Sequence, residues 1–423
     1  MLKDTSKKID RCEIVLFNPP FFRFCGSHND RTPLSLCYLS RFLENAKLSH
    51  VVFNGDYTGA KVYWRWKWMF DNFQAFQDAV DNKGSLYGGV IEGVMGFSPK
   101  VVVVMAGEIL YPTTDLGNPF IGANFSKRLR ELGVFTIGVG PFYTLQPEKF
   151  KKYFDCLILG EPSKDLVEII KSKKRGIIKV NPIANNVVPN LDHLFPEGQR
   201  KDILMTSFGC AYKCSFCQVP LVSPKVRFIE SETILKDLRS RQEKKIYLGD
   251  LTFNLSAEHL REIRNIVKTN NIRKEFTAEI RVDLIDEEKT KLLKEIGVKT
   301  VKIGIEGVTQ KQLDIFNKKT SRKMIMQAYS TLKKAGFKIV GYFILGGDGI
   351  KMGDYKETIK FLKSLSLDYI VINIWSYDIN TDYRYDTHFS PVALARWKIP
   401  KQVFYKYLEF QRSMNPTVGN LIG

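Results

Sequence analysis

The chain has 423 residues, of which 44% are hydrophobic, enough for two domains of ordinary size with a core in each. Lys and Arg number 64 against 45 Asp and Glu, formally +19, which favours an anionic partner such as a phosphorylated metabolite, an acidic peptide or RNA without naming one. No apolar run approaches the roughly 20 residues of a membrane span, and the opening "MLKDTSKKID" is polar rather than signal-like. The seven cysteines are not spaced as a secreted disulfide framework. A cytoplasmic, reducing location with no membrane partner is expected.

Taken in chain order, the first half alternates short apolar runs with helical spacing. Strands are expected at 12–20, 50–56, 100–107, 133–141 and 154–162, with helices at 33–46, around 66–83, and at 124–133. Near-continuous Val/Ile/Leu runs separated by helices indicate a parallel sheet buried on both faces, hence an open, doubly wound Rossmann-like domain over 1–185. The segment 186–200, with Pro189 and Pro196 and little periodicity, reads as a linker. A second βα series over 201–390 has strands at 202–208, 245–250, 275–281, 300–307, 338–347 and 368–375, with helices such as 231–242 and 286–297. Six βα units fit a partial (β/α)6 TIM-type barrel, whose chemistry belongs at the C-terminal strand ends. The tail, 391–423, reads as helical.

The stretch "SFGCAYKCSFCQVP" (207–220) follows the first strand of this second half and holds Cys210, Cys214 and Cys217. Three thiols are odd for disulfide pairing and one short of a four-cysteine zinc site. A [4Fe–4S] cluster normally takes four thiolates, so three from one loop leave one iron open to a substrate-like ligand. Phe216 is placed to shield such a cluster and Lys213 to offset its charge. The competing reading is a zinc knuckle borrowing a distant ligand such as His193. It is disfavoured because no second cysteine pair lies downstream.

With these residues in view, the second half resembles the radical S-adenosylmethionine (SAM) superfamily. The resemblance implies that Cys210, Cys214 and Cys217 hold a [4Fe–4S] cluster whose fourth iron is chelated by SAM. Other positions match at successive strand ends. In "YLGDLTF" (247–253), Gly249 and Asp250 would lie beside the methionine moiety. In "AEIRVD" (278–283), Glu279 and Arg281 would meet its ammonium and carboxylate. In "GIEGVTQKQLDIFNKKTS" (304–321), Glu306 and Lys318 are polar candidates. In "GYFILGGDG" (341–349), Gly346 belongs to a glycine motif near adenine, with Asp348 where proline is common. Acids and bases at strand ends suit a zwitterionic amino acid ligand on physical grounds as well.

The first half resembles the cobalamin-binding domain found upstream of one class of these enzymes, the class B methylases. "NPPFFRFCGSHNDRTPLSLCYLSRFLENA" (18–46) resembles its opening. "IGVGPFYTLQPEKF" (137–150) is similar to its Gly-Gly-Pro-x-x-Thr loop, with Pro141 and Thr144 in the matching places. "FDCLILGEP" (154–162) matches its closing Gly-Glu at Gly160 and Glu161. Small residues there would let a flat corrin approach the backbone. The Asp-x-His-x-x-Gly signature of a histidine lower ligand is absent. Trp64, Trp66 and Trp68, alternating with Arg65 and Lys67, could stack bases, cover a corrin or cap a domain interface.

The leading reading is a cobalamin-dependent radical SAM methyltransferase. It would act at an unactivated carbon of a small-molecule or peptide substrate through a 5′-deoxyadenosyl radical and methylcobalamin. An external electron donor of the flavodoxin or ferredoxin type is implied. A cyclase or ring-rearranging enzyme shares the same cofactor sites and stays open. An RNA methylthiotransferase would suit the basic charge, but Cys12, Cys25 and Cys37 lack the spacing of a second cluster site and no small basic β-barrel follows, so nucleic acid is disfavoured. A noncatalytic carrier has no use for the series Asp250, Glu279, Arg281 and Glu306.

Overall fold

The computed structural model describes residues 11–21, 32–57, 70–83, 86–108, 110, 118–375 and 391–414. Cys25 and the Trp64–Trp68 stretch lie outside them. The chain forms two compact units. The first holds the described residues up to Lys201 except Phe70, together with Leu221–Ser223; the second holds the rest.

In the first unit seven strands form one sheet. They are β1 (Ile14–Asn18), β2 (His50–Asn54), β3 (Val101–Met105), β4 (Phe135–Val139), β5 (Cys156–Leu159), β6 (Gly176–Lys179) and β7 (Leu194–Phe195). Their order is β6-β5-β4-β3-β1-β2-β7, and every pairing is parallel. β1 to β4 are buried along their whole length, as their unbroken apolar runs require. The order reverses at β1, so the crevice beyond the carboxyl ends of β1 and β3 is the topological switch point.

Four readings change. The linker contains β7, which pairs with β2, and Val52 N–H donates to His193 O at 2.8 Å. Asn190 N–H donates to Cys37 O at 2.9 Å, and Gln199 accepts from Asn54 at 2.7 Å. A segment that adds a strand to the sheet and bonds to β2 and to the helix Leu34–Asn45 belongs to that unit and is no tether. Two further elements escape the pattern: edge strand β6, largely exposed and therefore short of apolar signal, and a helix at Leu86–Met95, masked by adjacent glycines. The helix expected at 124–133 begins at Pro119, because the Asn118 side chain accepts from Phe120 N–H at 2.9 Å and Ile121 N–H at 3.3 Å.

The second unit is built on β8 (Ile203–Leu204), β9 (Ser207–Phe208), β10 (Arg227–Phe228), β11 (Lys245–Leu248), β12 (Glu275–Ile280), β13 (Val298–Glu306), β14 (Lys338–Leu345) and β15 (Tyr369–Ile374). Six of these form a parallel sheet in consecutive order, β15-β14-β13-β12-β11-β8, the partial barrel. The run 202–208 is not one strand. It breaks at Thr206, whose N–H is taken by the Asp250 carboxylate at 3.2 Å, and continues as β9, antiparallel to β10. Helices at Pro391–Arg396 and Lys401–Met414 follow β15; the latter touches β15, and its Phe404 meets Phe70 at 5.2 Å.

Gly140 ends β4 with φ +116°, and an added Cβ would lie 2.5 Å from the Ala106 carbonyl oxygen. Gly140→Ala is expected to destabilise the first unit by about 2 kcal/mol through backbone strain and collision, read as a lowered thermal midpoint. An unchanged midpoint would show that this turn relaxes freely.

Candidate active site

The cysteine loop follows β9. Cys210, Cys214 and Cys217 are half-exposed and unpaired, and Cys217 N–H closes a turn on Cys214 O at 3.1 Å. The turn after the helix Gln310–Ile315 clamps the loop from outside. Ser215 N–H donates to Phe316 O at 3.1 Å, Ser215 Oγ donates to Ile315 O at 2.7 Å, and Asn317 Nδ2 donates to Lys213 O at 2.7 Å. From inside, Arg281 at the end of β12 holds it. Its guanidinium lies 3.6 Å from the centre of the Tyr212 ring and donates to Cys214 Sγ at 3.7 Å, to both Asp283 oxygens at 2.9 Å and to Lys318 O at 2.7 Å. Burial acts to lower the Arg281 pKa, but Asp283 and Cys214 outweigh it, so the group stays charged.

Burial pushes the Cys214 thiol up, opposed by Lys318 and Arg281, and pushes Cys217 up to about 12. Cys214 and Cys217, which resist ionisation by themselves beside the Arg281 and Lys318 cations, suit a ligand that brings its own positive charge, as iron does. Three thiols on one loop, one of them bonded by the Arg281 guanidinium, are a sulfur donor set that fits an iron–sulfur cluster.

Beside the loop, Glu306 adopts φ +62° at a register shift between β13 and β14, and its carboxylate accepts from Lys318 Nζ at 3.0 Å. Gly304 makes room for the pair, since a Cβ there would come within 2.6 Å of Lys318 Nζ. Lys318 also lies 5.8 Å from the Phe216 ring centre. Burial raises the Glu306 pKa, and Lys318 opposes it. Two residues below Arg281, Glu279 accepts from Tyr247 OH at 2.5 Å and Tyr342 OH at 3.5 Å, with Lys302 Nζ at 3.6 Å. Sequence reading missed Tyr212, Tyr247, Lys302 and Tyr342. Period-two alternation along β11, β13 and β14 puts the last three on one face, but nothing in the sequence says which residues face each other across strands.

Asp250 does not face an open site. It is completely buried and accepts from Thr206 N–H at 3.2 Å, Thr206 Oγ1 at 2.9 Å and Ser207 Oγ at 2.5 Å. Since Thr206 spends its only hydroxyl proton on Asp250, His259 Nε2, 2.7 Å away, is the donor to Thr206 Oγ1. Asp250 thus anchors the stem of the cysteine loop. Gly249 continues the ladder, donating to Leu204 O at 2.8 Å. Gly346, φ +112°, is covered by the Trp397 indole, 2.6 Å from where its Cβ would stand, so a ring of this chain occupies the face where adenine is expected.

In the first unit a cleft opens at the ends of β3, β4 and β5. Met105, Gly140, Gly160, Glu161 and Ser163 line it, with Ser35 opposite, and none of its lining residues is histidine. Gly160 and Glu161 are thus in the cleft. Pro141 and Thr144 shape it from behind: Thr144 Oγ1 donates to Gly140 O at 2.9 Å and accepts from Gly160 N–H at 3.0 Å, while Pro141 starts a short helix against Gly107. Glu161 accepts from Ser223 Oγ. Glu108, buried after β3, accepts from Ser35 N–H at 2.9 Å and its hydroxyl, anchoring the helix Leu34–Asn45. Two glycines, Gly140 and Gly160, stand among mostly apolar lining residues, so a ligand there would lie close to backbone at those two points.

Burial pushes the Asp250 carboxyl up to about 6 and the His259 imidazole down to about 4. The folded state keeps the Asp250 proton longer than the unfolded chain, so this group's contribution is full below about pH 4 and is lost as pH rises through 6. His259 has the opposite slope, gaining with pH up to its ordinary value. Asp250→Asn should therefore remove a falling component of about 1–3 kcal/mol between pH 4 and 6, measured by urea unfolding across that range; an unaltered slope would show that Asp250 does not titrate there. Arg281→Gln, which strands Asp283, should cost about 3 kcal/mol, read by thermal unfolding of the metal-free chain. A loss below about 1 kcal/mol would mean that the buried pair is not stabilising.

The family description "Radical SAM superfamily" matches residues 204–362. An uncharacterised methyltransferase of Pyrococcus horikoshii is 26% identical over 323 residues, 68% of this chain and 69% of that protein. The hopanoid C-3 methylase of Methylococcus capsulatus is 29% identical over 212 residues, 44% of this chain and 41% of that protein, so the chain spans less than half of this relative. Among solved structures, the cobalamin-dependent SAM radical enzyme OxsB, with aqua-cobalamin and SAM bound, superposes with a TM-score of 0.60 at 17% identity, covering 94% of this chain and 56% of that one. With its clamped three-cysteine loop at the mouth of a partial barrel, the second unit matches the radical SAM superfamily over residues 204–362, a match that implies a [4Fe–4S] cluster and SAM, and the chain shares the fold of OxsB.

Proposed function

We propose that this chain is a cobalamin-dependent radical SAM methyltransferase acting at a carbon atom. The observation that carries the reading is the cysteine loop fixed between Arg281 and the 315–318 turn, with a second cleft at strand ends in the other unit. The names of the relatives, a methyltransferase and a carbon methylase, support the same reaction class. Cys210, Cys214 and Cys217 would hold the cluster. Glu279, Arg281, Glu306 and Lys318 would meet the amino acid end of SAM, with Gly249, Asp250 and Gly346 shaping the strand ends. Gly160 and Glu161 would contact cobalamin, with Pro141 and Thr144 bracing them. When bound, the reduced cluster and SAM supply a 5′-deoxyadenosyl radical, and cobalamin supplies the methyl group.

The protein's own part is positioning and exclusion of water. Arg281 keeps a positive charge against Cys214 whatever the pH, which favours a ligating thiolate. Phe216 and Phe316 meet edge to face at 5.8 Å beside the loop. Hydrogen abstraction from carbon needs no general base. The substrate is a small molecule or peptide, and an external one-electron donor is required. Among the described residues no helix is long and apolar enough to cross a membrane.

Anaerobic reconstitution with iron, sulfide and hydroxocobalamin, followed by desalting, tests the proposal. About four irons per chain and stoichiometric corrin are expected, and Cys214→Ala should lose the iron while keeping the corrin. A cluster without corrin would remove cobalamin from the reading, and iron retained by Cys214→Ala would remove the cysteine assignment.

A further inference from the structure

The sheet of the first unit ends at β6. That strand is terminal in the strand order, and among the described residues no strand pairs with its outer side. Gly176 N–H donates to Asp155 O at 2.9 Å and Val180 N–H to Leu159 O at 3.2 Å. Parallel pairing turns every second residue toward the neighbour. Gly176, Ile178 and Val180 therefore face β5, while Ile177 and Lys179 direct N–H and C=O outward. Nothing lies within 4 Å of where a Gly176 Cβ would stand, and Ile177 is 38% exposed. The flank of this edge is basic. Lys171, Lys173, Lys174, Arg175 and Lys179 are exposed, and no acid interrupts 171–179. Arg130 meets the buried Asp155 carboxylate at 3.5 Å beside Arg175 and donates to Lys152 O at 3.0 Å, so one buried acid stands among three exposed cations. Asp165 is engaged by Asn181, whose N–H donates to it at 3.1 Å. Glu131 and Glu168 are the exposed acids of the two adjoining helices. Arg175, Ile177 and Lys179 are two residues apart and project to one face. An edge that only repels other strands needs charge, not an exposed isoleucine between cations.

We propose that β6 is a docking edge for an extended acidic peptide segment, which adds to the sheet as a further strand. Its backbone takes the outward N–H and C=O groups of Ile177 and Lys179, and its carboxylates meet the flanking lysines. The proposal goes beyond the reading above and does not depend on it, because no residue of the cysteine loop or the cleft takes part. A second copy of this chain is a poor occupant, since it would set the same positive flank against itself. Nucleic acid would use the charge but leave Ile177 and the outward carbonyls without partners. Positive charge beside the edge steers an acidic strand into register and suppresses basic ones.

The test is fluorescence anisotropy of a labelled peptide alternating glutamate with valine, titrated with the unaltered full chain. Saturable binding is expected, weakened about tenfold by Lys174→Glu combined with Lys179→Glu and reduced by added salt. The same peptide N-methylated at every amide has no N–H to give a neighbouring strand and should not bind. No binding of the acidic peptide would overturn the proposal outright. Equal binding of the N-methylated peptide would overturn strand addition, because side-chain charge alone would then hold it; this comparison uses the unaltered chain, so it stands even where the charge variant fails to fold. Undiminished binding by a folded charge variant would overturn the assigned edge. An oligouridylate that binds more tightly than the peptide and displaces it would give the face to nucleic acid, and a dimer of the unaltered chain that the peptide dissociates would give it to a second copy; either result overturns the proposal.

Discussion

The second unit depends on the Arg281 guanidinium. One planar cation joins three pieces of chain that are far apart in sequence: the end of β12 with Asp283, the cysteine loop through Tyr212 and Cys214, and the turn at Lys318. Such a group is costly to bury and stays buried only if every face is occupied. Here two faces of the requirement coincide. The bonds to Asp283 and Lys318 O satisfy the donors, and the remaining charge points at a thiol that must become a thiolate. Lysine could not do this, since a single ammonium cannot stack on a ring and bridge a carboxylate at once.

The same economy appears one layer away. Asp250 is buried, yet three donors from Thr206 and Ser207 converge on it, and His259 completes the chain of bonds. This network bends β8 away from β9 and so aims the cysteine loop. Glu306 is strained into the left-handed region to reach Lys318. Strain of that kind persists where surrounding contacts over-determine it, and it concentrates at functional sites.

In the first unit, strand order does comparable work. The reversal at β1 marks a crevice beyond β1 and β3, and beside it Gly140 and Gly160, after β4 and β5, line the cleft. Glu108 and Glu161 are buried beside it but engaged, the first by Ser35 and the second by Ser223. Their placement fixes helices and loops around the cleft.

What the sequence determined by itself was periodic or local. Apolar runs gave both parallel sheets, because a strand buried on two faces must be apolar throughout. The three-cysteine spacing marked the loop, because one short loop can supply three ligands of one cluster. Local pattern failed where a residue's role was set by a partner distant in sequence. Leu194–Phe195 looked like linker until β2 supplied its pairing, and the strand expected at 202–208 broke because Asp250, 44 residues on, took the Thr206 amide. Asp250 read as a ligand contact and proved an anchor, Gly346 turned out to accommodate Trp397, and nothing local said that Tyr212 would meet Arg281 or Lys302 meet Glu279. Side-chain direction at a strand end, and which charge meets which, are decided by packing between elements, and only the tertiary structure holds that information.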